Sequence, residues 1–190
     1  GYLTGCALII VFLISFMFFR KKRVNNAETT IYKYMLFCNI SESIITNGII
    51  VTALTSNSNL IFVLLNRLDV IILITWFSLM FSYIYKVSHP NEKKKYIIFV
   101  SILNTFFYIS AILLDVTIIN QNGILDSKGP LTTVGLFGAT IYIISMIICA
   151  ISKKRNTKKL EKDKYIPLFF LIFLTAVLAV LRIVIPRINF

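Results

Sequence analysis

The sequence predicts an all-α fold, a polytopic membrane bundle of six transmembrane helices in a single domain spanning residues 1–190. Three observations predict it. The 190-residue chain is 57% hydrophobic with a mean hydropathy of +0.83, a level that soluble domains of this size rarely reach. Its apolar residues gather in six stretches close to the roughly 20 residues that a bilayer-crossing helix requires. Its basic residues are sorted, with 16 of the 20 Lys and Arg in or just beside alternate connecting segments. Backbone amides in hydrocarbon must bond within their own segment or around a closed barrel. Barrel strands are short and alternate polar with apolar, whereas these stretches are long and apolar on all sides.

The first stretch, 2–19, ends in "FMFFRKKRVNN", where Arg20, Lys21, Lys22 and Arg23 follow aromatic residues directly. A secretion signal places its basic residues before the apolar run, and a nucleic-acid patch needs aromatic or groove-reading partners. Neither pattern is present, so this is the cytoplasmic edge of a span and nucleic acid is not an expected partner. The second stretch, 31–54, begins beside Lys33 and the third covers 60–85. Lys86, Lys93, Lys94 and Lys95 separate the third from the fourth, 96–119. The fifth, 131–151, is joined to the sixth, 165–185, by "SKKRNTKKLEKDK". The other two connections, "TSNSN" and "INQNGILDSKGPL", hold Lys128 as their only base. The positive-inside rule then places both termini outside, with the basic loops attracted to anionic lipid headgroups. Two exterior ends on a chain that starts and stops in apolar sequence suggest part of a seven-helix region. The expected location is a bacterial plasma membrane.

Ionisable residues at membrane depth are functional candidates. Arg67 and Asp69 fall in the first turns of the third helix, Asp115 near the outer end of the fourth, and Arg182 near the outer end of the sixth, with Arg187 just past it. All lie on one side at similar depth, which permits pairs such as Arg67 with Asp115 and Asp69 with Arg182. Such charges either form a polar pocket open to the exterior or extend toward the headgroups. Glu42 is nearer mid-membrane, on the flank of a polar face formed by Asn39, Ser43, Thr46 and Asn47. That face suits helix adhesion or a buried proton or ligand site. Trp76, in mid-span, reads as a packing residue, and Gly135, Gly138 and Ala139 of "GLFGA" read as a close helix contact.

Catalytic chemistry is not expected in this chain. Cys6, Cys38 and Cys149 lack metal-ligand spacing and fall at different depths. The lone histidine, His89, precedes Pro90 in a short loop and reads as a turn residue. No glycine-rich phosphate loop appears. Neither a metal nor an organic cofactor is expected.

Several segments carry a resemblance. "RVNNAETTIYKYMLFCN" resembles the segment after the first membrane helix of multi-pass sensor histidine kinases of low-GC Gram-positive bacteria, where a Glu-Thr-Lys-x-Tyr run is common. Glu28, Thr29 and Tyr32 match it, and Thr30 stands where those proteins carry a basic residue. "LLNRLDVIILITWFSLMFSYIYKVS" resembles their third helix, with Asn66 and Arg67 at an Asn-Lys pair and Trp76 in place. "SKGPLTTVGLFGATIYIIS" is similar to their fifth helix, with its Gly-Pro start, and "KYIPLFFLIFLTAVLAVLRIVIPRINF" to their sixth. The resemblance implies a seventh helix and a cytoplasmic kinase beyond Phe190, a homodimer formed through that kinase, and an unidentified signal ligand. The candidate ligand-binding or intramembrane polar residues are Glu42, Asn66, Arg67, Asp69, Asp115 and Arg182. A small transporter or channel subunit is the alternative, for which broken midplane helices and an inverted repeat are the expected signs. An intramembrane enzyme is a third reading, and it would need a Cys–His pair that the sequence does not bring together.

Overall fold

The computed structural model describes residues 2–20, 27–55, 59–88, 95–121 and 124–154. Within them are five helices: α1 (Tyr2–Arg20), α2 (Ala27–Thr55), α3 (Asn59–Ser88), α4 (Lys95–Leu113) and α5 (Pro130–Lys154). Between α4 and α5 lies an antiparallel hairpin of β1 (Thr117–Gln121) and β2 (Ile124–Lys128). Four helices, α2 to α5, are long and apolar enough to cross a membrane. The apolar part of α1 assigned from the described residues, Leu8–Arg20, is shorter than a span. The sixth predicted helix, 165–185, lies outside the described residues.

The fold is all-α as expected, apart from this short hairpin, which shortens one predicted helix. The fourth helix ends at Leu113, not at residue 119. Its continuation, Val116-Thr117-Ile118-Ile119, is a run of β-branched residues whose stiff side chains favour a strand over a helix. Gln121 pairs with Ile124 across a two-residue connection, and the sequence there is Asn122-Gly123, the strongest short hairpin-turn signal. Gly129 then adopts a φ of 125°, and Pro130 opens α5, where a missing amide proton costs nothing.

α3 is the central helix. Val70, Ile74, Phe77, Phe81 and Ile84 recur at alternating spacings of four and three and form one buried seam. Against it pack Phe107 and Ala111 of α4 and Leu131, Ala139, Tyr142 and Met146 of α5. α2 crosses the other side of α3, where Gly48 lies against Leu65 and Ala53 packs on Phe62. α1 lies along α2, burying Ser15 and Phe18. Many large apolar side chains face outward, among them Leu13, Phe16, Phe37, Ile102 and Phe106. Water would penalise that exposure at about 25 cal/mol per Å², whereas lipid tails would not.

Contacts between neighbours fix the helix directions. Tyr85 meets Tyr96 near one end of the α3–α4 pair, and Arg67 meets Leu114 near the other. The two helices are therefore antiparallel. One end of the bundle thus gathers the C-termini of α1, α3 and α5 with the N-termini of α2 and α4. It carries Arg20, Lys33, Lys86, Lys95, Lys153 and Lys154, and the hairpin lies at the opposite end. Among the described residues, the bases of the predicted basic segments thus fall at one end.

Candidate functional site

The base-poor end is built by the start of α3, the end of α4 and the hairpin. Asn66, in the second turn of α3, donates through Nδ2 to the carbonyl of Phe62 at 2.8 Å. That bond presents Oδ1 outward, where the Ser127 hydroxyl of β2 donates to it at 2.8 Å. Ile118 of β1 packs on the Ala53–Phe62 contact between α2 and α3. The hairpin therefore sits over the joint between these helices, fastened by the Ser127–Asn66 hydrogen bond and the Ile118 contact. Gly129 keeps it there, because a Cβ at that position would lie 2.9 Å from Thr117 Oγ1.

Arg67 takes a different partner from the one expected. Its Nη2 donates to the Leu114 carbonyl at 3.2 Å, and no ion pair joins it to Asp115, which is exposed. The last carbonyls of a helix have no intrahelical donor and carry partial negative charge. A cation at the end of α4 therefore satisfies the helix terminus itself. Arg67 Nε is buried without a hydrogen-bond partner. Asp69 is half-buried on α3. Arg182 lies outside the described residues, and with it the expected pair to Asp69. The structure thus brings Asn66 and Arg67 to the hairpin and the α4 terminus, and leaves Asp115 at the surface.

Glu42 is half-buried in the middle of α2, as are Asn39, Ser43, Thr46 and Asn47. Asn47 does not reach across to a neighbour; its Nδ2 donates to the Ser43 carbonyl of its own helix at 2.7 Å. Hydrogen bonds that cross between helices join α3, α4 and α5. Tyr142, fully buried, donates to Asn104 Oδ1 at 2.7 Å. Asn104 Nδ2 donates to Ser78 Oγ at 3.1 Å, and Ser78 Oγ donates in turn to the Thr75 carbonyl at 2.8 Å. Thr75 Oγ1 donates to the Ile71 carbonyl and lies 2.7 Å from the Tyr108 hydroxyl, which is left to act as donor. This chain of neutral groups escapes a search for charges. Its trace in the sequence is Asn104, an amide in an otherwise apolar stretch, opposite Ser78 once α3 and α4 are set antiparallel.

Trp76 packs against the core, edge-on to Phe77 at 5.2 Å between ring centroids. Its Nε1 is buried and has no partner. Gly135 and Gly138 make the close approaches expected of them. An added Cβ would lie 3.3 Å from Val70 at the first and 3.3 Å from the Phe107 ring at the second. None of the three cysteines is in a disulfide: Cys6 is exposed, Cys38 half-buried and Cys149 buried. No protein-family model, curated protein or solved structure matches the chain.

Proposed function

We propose that this chain is the membrane-embedded sensory input region of a bacterial two-component sensor histidine kinase, lying in the plasma membrane with its N-terminus outside. A signal from the exterior or from the membrane itself is received at the base-poor end. It is relayed to a cytoplasmic kinase outside this chain, through which two copies pair. The observation that carries this reading is the Ser127–Asn66 bond, which ties the exterior hairpin to α3. α3 also contacts α2, α4 and α5, so a ligand that displaces the hairpin acts directly on the central helix. A ligand biases the bundle only through contacts that differ between two arrangements, and a single latch of this kind supplies such a difference. The likeness to sensor kinases in the third and fifth helices adds support.

The transporter alternative draws less support. α2, α3 and α5 run unbroken through their described lengths, whereas transporters use half-helices at the midplane. The polar groups between α3, α4 and α5 bond to one another.

The test uses the full-length natural protein in liposomes with ATP labelled on its γ-phosphate. The expected product is acid-labile phosphohistidine, formed at a rate that Ser127→Ala or Asn66→Ala alters. If no label forms, the kinase reading falls. If label forms and neither variant changes it at equal abundance, the hairpin has no part in the relay.

A further inference from the structure

We infer that the base-rich end of the bundle carries a built site for an anionic glycerophospholipid, centred on Lys86 and Tyr96 where α3 ends and α4 begins. This inference is independent of the sensor reading. Lys86 Nζ lies 5.7 Å from the centre of the Tyr96 ring, within the distance at which an aromatic face attracts an ammonium. Tyr96 is stacked on Tyr85, with centroids 4.7 Å apart and an interplanar angle of 27°. Phe81 backs the pair, 6.0 Å from Tyr85 and 5.9 Å from Phe99. The ammonium is therefore held at one height instead of sweeping through solvent.

The same device recurs at the other helix pair that turns at this end. Lys33 Nζ of α2 lies 5.9 Å from the ring of Phe19 on α1, beside the Phe18–Tyr32 contact at 4.8 Å. In both pairs an aromatic residue of one helix holds a lysine of its neighbour.

In sequence, the residues after Lys86 favour an anion. Lys93, Lys94 and Lys95 follow it, against Glu92 as the one acid in that connection. The first turn of α4 has no acidic residue. Directly beside the clamp, Ile97 and Ile98 are exposed. A phosphate group would meet the ammonium while its acyl chains lie along these side chains. Free phosphate gains nothing from them, so lipid is the occupant. A zwitterionic headgroup brings its own cation toward the Lys86 ammonium and is disfavoured.

The test is native mass spectrometry of the full-length protein, with phosphatidylglycerol and phosphatidylcholine of matched acyl chains. Preferential retention of phosphatidylglycerol is expected. Lys86→Gln should weaken it about fivefold, the effect of one base near an anionic surface. Tyr96→Leu, which keeps every charge, should also weaken it, and Tyr96→Phe should not. Circular dichroism establishes that each variant is helical. Equal retention of the two lipids overturns the site. So does a Lys154→Gln variant that loses as much as Lys86→Gln, since that result means a diffuse field. Displacement by millimolar inorganic phosphate overturns it as well, by showing a simple anion site.

Discussion

Replacing Asn104 by leucine keeps most of the side-chain volume but removes both of its hydrogen bonds, to Tyr142 and to Ser78. Tyr142 is fully buried, so its hydroxyl is left with no acceptor. Hydrogen bonds between membrane helices average about 0.6 kcal/mol and reach about 1.7. A stranded buried donor costs about 1–3 kcal/mol. The two effects overlap, and the expected destabilisation is about 2 kcal/mol. Tyr142→Phe removes the donor instead. It leaves Asn104 bonded to Ser78 and should cost about 1 kcal/mol. In the double variant no donor is stranded, so the two changes should cost less together than their sum, by about 1 kcal/mol. The assay is denaturation by SDS in mixed micelles at fixed total detergent, followed by helical ellipticity, with all four proteins in one cycle. A coupling below about 0.3 kcal/mol, with both single variants folded, would refute the contribution assigned to this bond.

Gly129→Ala should loosen the hairpin by about 1–3 kcal/mol, because the residue sits in backbone space that side chains disfavour. Faster amide exchange across β1 and β2 is the readout, and adding Thr117→Ala should restore only part of the loss. Gly138→Val should cost about 1–3 kcal/mol by forcing α5 away from the Phe107 ring, measured by the same SDS titration, with Gly138→Ala milder. Sidedness is open to impermeant thiol reagents in a background without the native cysteines. Asn120→Cys should label in intact cells and Lys154→Cys only after permeabilisation. The reverse pattern would invert the bundle.

The helices were legible because a span needs length and apolarity, and both are written locally in the chain. The clustering of bases at one end was legible for the same reason: it depends on loop composition and not on packing. The hairpin was missed because Val116, Thr117, Ile118 and Ile119 are as apolar as the helix before them. The information lay in their β-branching and in Asn122-Gly123, which a hydropathy reading does not weigh. Among the candidate residues, Asn66 and Arg67 were identified from sequence but not their partners. Arg67 binds a helix-terminal carbonyl, a backbone group that no side-chain inventory contains. The Tyr142–Asn104–Ser78 chain was invisible because it joins neutral residues 38 and 26 positions apart. Only the antiparallel setting of α4 against its neighbours brings them together.

Ser15, Thr52, Ser82, Thr140 and Ser145 each donate a hydrogen bond to the carbonyl four residues back in the same helix. Side chains satisfied in this way ask nothing of a neighbour, so the segments that bear them can leave the translocon singly and wait in the bilayer. Tyr142 and Asn104 are different, since each completes its bonding through another helix. Among the described helices, it is the docking of α5 against α4 that satisfies Tyr142.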